Sequence, residues 1–145
     1  MRHVLAGALA LCLLGSGGCP AMITDPLGRH HSLELTQREY TNMIRWGDVE
    51  RADELVDPEH REAFLGFVPA FEDIRITDYE IGRLLYQPDE TVTVQVTYRG
   101  YSLTTLIEQT IGEKQEWYRP EGMGNTWLVR PEIAGIANAF RAARR

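Results

Sequence analysis

The sequence predicts an α+β fold in which N-terminal helices pack on a curved antiparallel meander sheet and an extra helix ends the chain. Two observations carry this prediction. Apolar residues recur with a helical period between residues 36 and 71, and with a period of two from Ile74 onward. The segments between the predicted strands are shorter than a parallel crossover of about a dozen residues, so neighbouring strands must pair antiparallel.

Length and composition limit the class of protein. The chain has 145 residues, of which 43% are hydrophobic and 25% charged, as expected of one globular domain. Its formal net charge is −6, and no block of Lys and Arg interrupts the acidic balance. Proteins that bind nucleic acid through its phosphates need a basic surface, so we expect no nucleic-acid partner.

The first 18 residues have the three-part layout of a secretory signal peptide. A short basic start precedes the apolar run Val4 to Leu14, and small residues follow it up to Cys19. The apolar run has 11 residues, whereas a helix that crosses a bilayer needs about 20. Residues 1–18 are therefore predicted to direct export rather than to remain in the membrane.

The end of this segment resembles a bacterial lipoprotein signal, in the stretch Leu13-Leu14-Gly15-Ser16-Gly17-Gly18-Cys19. The resemblance implies that Cys19 becomes the lipidated first residue, with acyl chains such as palmitate, and that the membrane is a partner of the chain. In such lipoproteins, an Asp directly after the cysteine implies retention in the inner membrane, but this chain has Pro20 at that position. We therefore expect the chain to be anchored in the outer membrane, facing the periplasm. In the alternative, cleavage after Ala21 leaves a soluble periplasmic protein.

Residues 19–32 are predicted to form the lipidated tether between anchor and domain, because they are polar and lack an apolar period. The adjacent His30 and His31 have no Cys or acidic residue at ligand spacing. We therefore predict neither a metal site nor any other cofactor.

Local signals place three helices between the tether and the sheet. The capping box Thr36-Gln37-Arg38-Glu39 predicts that the first begins at Thr36, and Gly47 should end it. Asp48 is predicted to begin the second helix and Asp57-Pro58 the third. Breaks are expected within the third helix, at Gly66 and Pro69.

Four strands follow. The first begins at Ile74, is expected to bulge at Thr77-Asp78 and runs on to Tyr86. The strand Thr91 to Tyr101 alternates most regularly between apolar and polar residues. The third is predicted from Leu106 to Tyr118, and Thr126 to Arg130 closes the sheet, with Trp127 buried against a helix.

From Leu33 to Pro131 the chain resembles the NTF2-like (cystatin-like) family of α+β domains. The resemblance rests on the helix pair around Tyr40 to Asp48, the valine strand Val92 to Tyr98, and the terminal hairpin from Glu116 to Val129. It implies that residues 33–131 form one cone-shaped domain around an apolar cavity. Some members are enzymes that place acid–base residues in this cavity to act on small ligands.

Asp78 and Tyr79 are the catalytic candidates, because the predicted bulge would aim a side chain into such a cavity. Burial would raise the pKa of Asp78 toward that of a usable base. In the alternative, Asp78 only accepts hydrogen bonds from its own backbone. The sequence contains no catalytic triad, P-loop or dinucleotide motif, so catalysis rests on analogy with the fold and is not favoured.

A binding role is the favoured hypothesis. The chain is predicted to be a membrane-anchored envelope lipoprotein that binds either a protein partner or a small apolar ligand; the alternative is a small-molecule enzyme on the same scaffold. Aromatic residues at helical spacing more commonly pack in the protein core than line a ligand site. Core packing is therefore the alternative for the phenylalanines among the candidate cavity residues. Those residues are Phe64, Phe67, Tyr79, Val94, Val96 and Trp127.

Residues 132–145 are predicted to form an amphipathic C-terminal helix. Its apolar stripe consists of Ile133, Ile136, Ala137 and Phe140. The stripe is expected to dock on the chain's own domain, and the alternative is contact with a partner or a lipid surface.

Overall fold

The computed structural model describes residues 28–121 and 126–142. The predicted signal peptide, the lipidation site Cys19 and most of the predicted tether lie outside the described residues. Of the predicted C-terminal stripe, the side chain of Phe140 also lies outside them.

The structure is α+β, as predicted, with helices before an antiparallel sheet and one helix after it. The helices are α1 (Arg29–Trp46), α2 (Val49–Ala52), a short 3₁₀ helix (Asp53–Leu55), α3 (Arg61–Leu65), α4 (Val68–Phe71) and α5 (Ala134–Ala142). The strands are β1 (Ile74–Ile81), β2 (Leu85–Tyr86), β3 (Val92–Ser102), β4 (Glu108–Tyr118) and β5 (Leu128–Pro131). The sheet has the order β1-β3-β4-β5, β2 also pairs with β3, and all these pairs are antiparallel.

Helix α1 begins seven residues before the start that the capping box predicts. Thr36 does not cap it; its hydroxyl donates to the carbonyl of Ser32 inside the helix, at 2.9 Å. Gly28, at φ 63°, is the residue before the first turn. Leu33 is fully buried and Ser32 accepts a hydrogen bond from Trp127, so tertiary contacts extend the helix into residues 29–32 of the predicted tether.

The predicted end of α1 and start of α2 are confirmed, whereas the third helix begins at Arg61 rather than at Asp57-Pro58, because residues 58–60 form a turn. Gly47 ends α1 in the left-handed conformation, at φ 73°. The predicted third helix is divided into α3 and α4, with Gly66 between them and Pro69 in the first turn of α4. The Asp57 carboxylate accepts a hydrogen bond from the backbone N–H of Glu59, at 2.9 Å.

The predicted bulge is present in β1. Ile76 pairs with Gly100 and Asp78 with Arg99, which leaves Thr77 as the extra residue. Several strand boundaries differ from the prediction, and the closing strand β5 covers Leu128–Pro131 rather than Thr126 to Arg130. The first strand ends at Ile81 and resumes as β2, and β4 starts at Glu108 because Leu106 occupies the preceding turn at φ 56°.

Helix α5 docks on its own domain. It packs on β4 and α4, and Ile133, Ile136 and Ala137 are buried there. Contact of these three residues with a partner or a lipid surface, the alternative weighed from sequence, is therefore wrong. Within residues 28–121 and 126–142, none of the helices has both the length and the apolar character needed to cross a membrane.

Candidate functional site

A buried polar cluster lies on the inner face of the sheet, beneath α1. Glu113 and Gln115 alternate along β4 in phase with the fully buried Trp117. Their cross-strand partners on β3 are Val96 and Val94. Glu113 and Gln115 therefore share the core face with these valines, and the exposed fraction of both polar residues is 0%.

Three neutral donors hold the carboxylate of Glu113. The hydroxyl of Tyr40 donates to Oε1 at 3.1 Å, and that of Tyr98 donates to Oε2 at 2.8 Å. The Nε2 of Gln115 donates to Oε2 at 2.8 Å. The buried charge is thus stabilised by hydrogen bonds from α1, β3 and β4 rather than by a cation.

The network continues from Gln115 to the helix. Oε1 of Gln115 accepts hydrogen bonds from Nε2 of Gln37, at 3.1 Å, and from Nε1 of Trp117, at 3.2 Å. Gln37 also donates to the hydroxyl of Thr41, at 2.9 Å. Because Gln37 and Thr41 belong to α1, these bonds fix the helix over β4 and satisfy polar groups that would otherwise be costly to bury.

Burial raises the pKa of Glu113 to about 7, although hydrogen bonds from Gln115, Tyr98 and Tyr40 act in the opposite direction. Burial and the nearby Glu113 charge raise the pKa of both tyrosines well above the usual value. Glu113 can therefore gain or lose a proton near neutral pH while the tyrosines stay protonated. Its full enclosure separates it from solvent in this structure.

Neither catalytic candidate from the sequence belongs to this cluster. Asp78 is exposed, and its Oδ2 lies 2.7 Å from the guanidinium of Arg99 on the outer face of the sheet. The expectation that the bulge aims Asp78 inward is wrong, because the extra residue Thr77 leaves Asp78 opposite Arg99. Tyr79 faces α1, where its hydroxyl donates to Oδ1 of Asn42 at 3.0 Å.

None of the clefts described among residues 28–121 and 126–142 is lined by all six candidate cavity residues. Val94 and Val96 are fully buried in the core beside the polar cluster, a position for which the sequence predicted an open space. The same region is filled by the large buried side chains of Tyr40, Tyr98 and Trp117. In the described part of the chain, these side chains therefore pack in the region where the central cavity was predicted.

Two of the predicted residues, Phe64 and Phe67, line a surface cleft of about 360 Å³. This apolar cleft lies between α3 and the start of α5, and Ile133 contributes to its opposite wall. Phe64 and Ile133 are buried, whereas Phe67 is half-buried and borders the opening. His60 and Glu132 are the ionisable residues of its lining.

Trp127 is buried, as predicted, but in a different place from the phenylalanines. Its indole N–H donates to the hydroxyl of Ser32 at 3.0 Å, and it lines a second cleft near the start of α1. In the part of the chain that the structure describes, no three His, Cys, Asp or Glu side chains are grouped to hold a metal ion.

Sequence reasoning missed the Glu113 cluster, although a signal for it exists. The polar residues Glu113 and Gln115 stand at two-residue spacing before Trp117, and a buried Trp defines the core face of its strand. On α1, Gln37, Tyr40 and Thr41 have the spacing of one helix face.

Comparison with solved structures shows a structural similarity to a known protein. The chain is similar to the crystal structure of a "putative polyketide cyclase" from Silicibacter sp. TM1040, with 13% sequence identity and a TM-score of 0.46. The match covers 74% of this chain and 94% of that chain. No protein-family model matches the sequence, and no curated protein matches it.

Proposed function

We propose that the chain is an envelope lipoprotein whose NTF2-like domain binds a small apolar ligand. The observation that carries the binding role is the apolar cleft formed by Phe64, Phe67 and Ile133. Its volume of about 360 Å³ falls within the range of about 300–1,000 Å³ typical of small-molecule sites. Apolar walls favour ligands through the removal of apolar surface from water.

The lipoprotein part of the proposal rests on the sequence before Pro20. An apolar run too short to span a bilayer leads through small residues to Cys19, and acylation at this cysteine would anchor the domain. The outer membrane, facing the periplasm, is the proposed location. Cys19→Ser should convert a detergent-requiring envelope protein into a soluble one. Wild-type protein in the soluble periplasmic fraction would contradict the anchor without affecting the ligand site.

Native mass spectrometry tests the ligand. Wild-type protein purified from its source should carry a small molecule that organic solvent extracts. Phe67→Ala removes a wall of the cleft and should abolish the adduct. Leu65→Ala is the matched control, because Leu65 lies two residues away at the end of α3, is 39% exposed and does not line the cleft. A stoichiometric protein in place of the small molecule would favour docking of an envelope protein.

Acid–base catalysis at Glu113 is the second candidate, because a carboxyl with a pKa of about 7 is suited to proton transfer near neutral pH. Both of its oxygens already accept hydrogen bonds from the protein. A substrate would have to displace Tyr40 or Tyr98 to reach it. The test is hydrogen exchange with D₂O in a carbonyl compound recovered from the protein. Catalysis by Glu113 requires that the acidic hydrogens of this compound exchange in the presence of the wild-type protein but not in the presence of Glu113→Gln.

A further inference from the structure

We propose that the ligand of the apolar cleft at Phe67 carries an uncharged hydroxyl group, which donates a hydrogen bond to Nε2 of His60. The ligand class is then that of phenols and alcohols with an apolar body. This inference rests on the proposed function, because it concerns the same cleft. Small-molecule sites combine apolar walls with a few polar groups that orient the ligand.

His60 is the polar group best placed to orient a ligand in the cleft. The described lining contains two polar side chains, those of His60 and Glu132, and its other residues are alanine, glycine, proline, phenylalanine and isoleucine. Glu132 is 70% exposed, and its carboxylate lies 3.8 Å from Nζ of Lys114, so water competes strongly for it. The side chain of His60 is 47% exposed, which leaves its ring accessible to a ligand.

The ring of His60 lies against a buried carboxylate. Its Nδ1 is 3.6 Å from Oδ1 of Asp57, and only 5% of the Asp57 side chain is exposed. The backbone N–H of His60 donates to the carbonyl of Asp57 at 2.8 Å, and the carbonyl of His60 accepts from the N–H of Phe64 at 2.9 Å. The backbone that carries the ring is therefore fixed on both sides, next to Phe64 in the wall of the cleft.

The Asp57 carboxylate determines which ring nitrogen carries the proton. Burial alone would raise the pKa of Asp57, but hydrogen bonds from Arg130, Glu59 and Tyr118 lower the pKa to about 2, so Asp57 is ionised. A carboxylate attracts an N–H group and repels a nitrogen lone pair, so the proton of the neutral ring is favoured at Nδ1. Nε2, which is farther from the backbone, then presents its lone pair as a hydrogen-bond acceptor.

The charges around the cleft favour an uncharged donor over an ionic group. Asp57 and Glu132 place carboxylates near this wall, and no Lys or Arg belongs to the described lining, so an anion would be repelled. An ammonium group could donate to Nε2, but its transfer from water to apolar walls is costly. A hydroxyl group has neither penalty, and the apolar body attached to it can contact Phe64 and Phe67.

Equilibrium dialysis of the full chain with three probes of similar shape tests the proposal. The probe 2-naphthol donates a hydrogen bond, 2-methoxynaphthalene has the oxygen without the donor, and naphthalene has neither. The measured quantity is the hydroxyl preference, defined as the affinity for 2-naphthol divided by that for 2-methoxynaphthalene. This preference should fall about threefold or more from wild type to His60→Phe, as expected for the loss of one hydrogen bond. The hydration of the probes is the same in both measurements and cancels.

Three controls separate hydrogen bonding from a change in the shape of the cleft. His60→Phe retains an aromatic ring and should still bind naphthalene. Glu132→Gln changes the other polar side chain of the lining and should keep the wild-type hydroxyl preference. Nitrogen NMR of histidine-labelled protein, with His60→Phe to assign the signal, should show the proton of the neutral His60 ring at Nδ1.

The outcomes distinguish this inference from the proposed function. An unchanged hydroxyl preference in His60→Phe, a lost preference in Glu132→Gln, or a neutral His60 ring protonated at Nε2 would overturn the inference. Tighter binding of the anion 2-naphthoate than of 2-naphthol would also overturn it. Naphthalene binding in any of these cases would leave the proposed function intact. If wild type binds none of the probes, the proposed function fails and the inference fails with it.

Discussion

The hydroxyl of Tyr98 donates a 2.8 Å hydrogen bond to Oε2 of Glu113, and the two side chains belong to adjacent strands of the sheet. The hydroxyl of Tyr40 on α1 donates a hydrogen bond to the other carboxylate oxygen of Glu113. An acidic side chain is thereby held in the core by neutral donors, at the point where the sequence predicted an apolar cavity. This arrangement makes the stability of the domain depend on the protonation of one carboxyl.

We predict that the free energy of unfolding falls as the pH rises from about 4.5 to 7. The pKa of Glu113 is about 7 in the folded state, against 4.5 without burial, so over this range the folded state holds a proton that the unfolded state has lost. The stabilisation is complete below pH 4.5 and is lost as the pH passes 7. A loss of about 3 kcal/mol corresponds to this difference.

Denaturant melts at pH 5 and pH 7.5 measure this dependence. Glu113→Gln should remove most of it, because an amide does not titrate. Glu108→Gln, at an exposed position on the same strand, should retain it. An equal pH dependence in wild type and Glu113→Gln would show that Glu113 is ionised at both pH values.

Asp57 should stabilise the fold more at higher pH, which is the opposite of the pH dependence predicted for Glu113. Burial alone would raise the pKa of Asp57, but hydrogen bonds from Arg130, Glu59 and Tyr118 lower the pKa to about 2. Nε of Arg130 lies 2.8 Å from the Asp57 carboxylate and joins the segment before α3 to β5. The stabilisation is present above pH 3.8 and is lost as the pH falls toward 2.

Acid unfolding followed by circular dichroism checks this prediction. Asp57→Asn should be less stable than wild type at pH 5, and the difference should shrink below pH 3. Asp78→Asn breaks an exposed ion pair with Arg99 and serves as control, with little change expected. A difference between Asp57→Asn and wild type that stays constant down to pH 2 would contradict the lowered pKa.

Trp127→Ala should lower the free energy of unfolding by about 3–5 kcal/mol, as is typical of an aromatic side chain removed from a core. Trp127 is 4% exposed and donates a hydrogen bond to Ser32 on α1. Trp46→Ala is the comparison, because Trp46 is 68% exposed and should cost less than about 1 kcal/mol. Similar losses for the two variants in denaturant melts would place Trp127 outside the core.

Truncation after Pro131 should cause a large fall in the melting temperature. It removes Ile133, Ile136 and Ala137, which cover apolar surface of β4 and α4. Removal of residues 143–145 alone serves as the control. Unchanged stability of the truncated chain in calorimetry would show that α5 contributes nothing to the core.

The strands could be predicted where the pattern is local and regular. Inward Val92, Val94, Val96 and Tyr98 alternate with more exposed residues along β3, as the sequence predicts. The end of α1 at Gly47 and the bulge at Thr77 could also be predicted from the sequence, because each depends only on the residue types at that position. The prediction of α1 failed at its start, since Ser32 is bonded to Trp127, which is 95 residues away.

The candidate site was predictable only in part. Phe64 and Phe67 do line a cleft, but its opposite wall is Ile133, and no local pattern indicates where the C-terminal segment packs. Glu113 was missed because a charged residue on a strand usually faces solvent. The two-residue phase with Trp117 indicates its inward direction, but the pairing with Val96 and the donors from α1 that stabilise it there appear only in the assembled fold.

Obstruction of the apolar cleft tests the proposed binding role most directly. Ala63 lines the cleft and is exposed, so Ala63→Phe should fill it without disturbing the core; Leu65→Phe adds bulk outside the cleft and serves as control. Equilibrium dialysis with naphthalene as the probe compares the two. The account predicts that wild type and Leu65→Phe bind the probe and that Ala63→Phe binds it at least about tenfold more weakly. Equal binding by all three proteins, or by none, would contradict it.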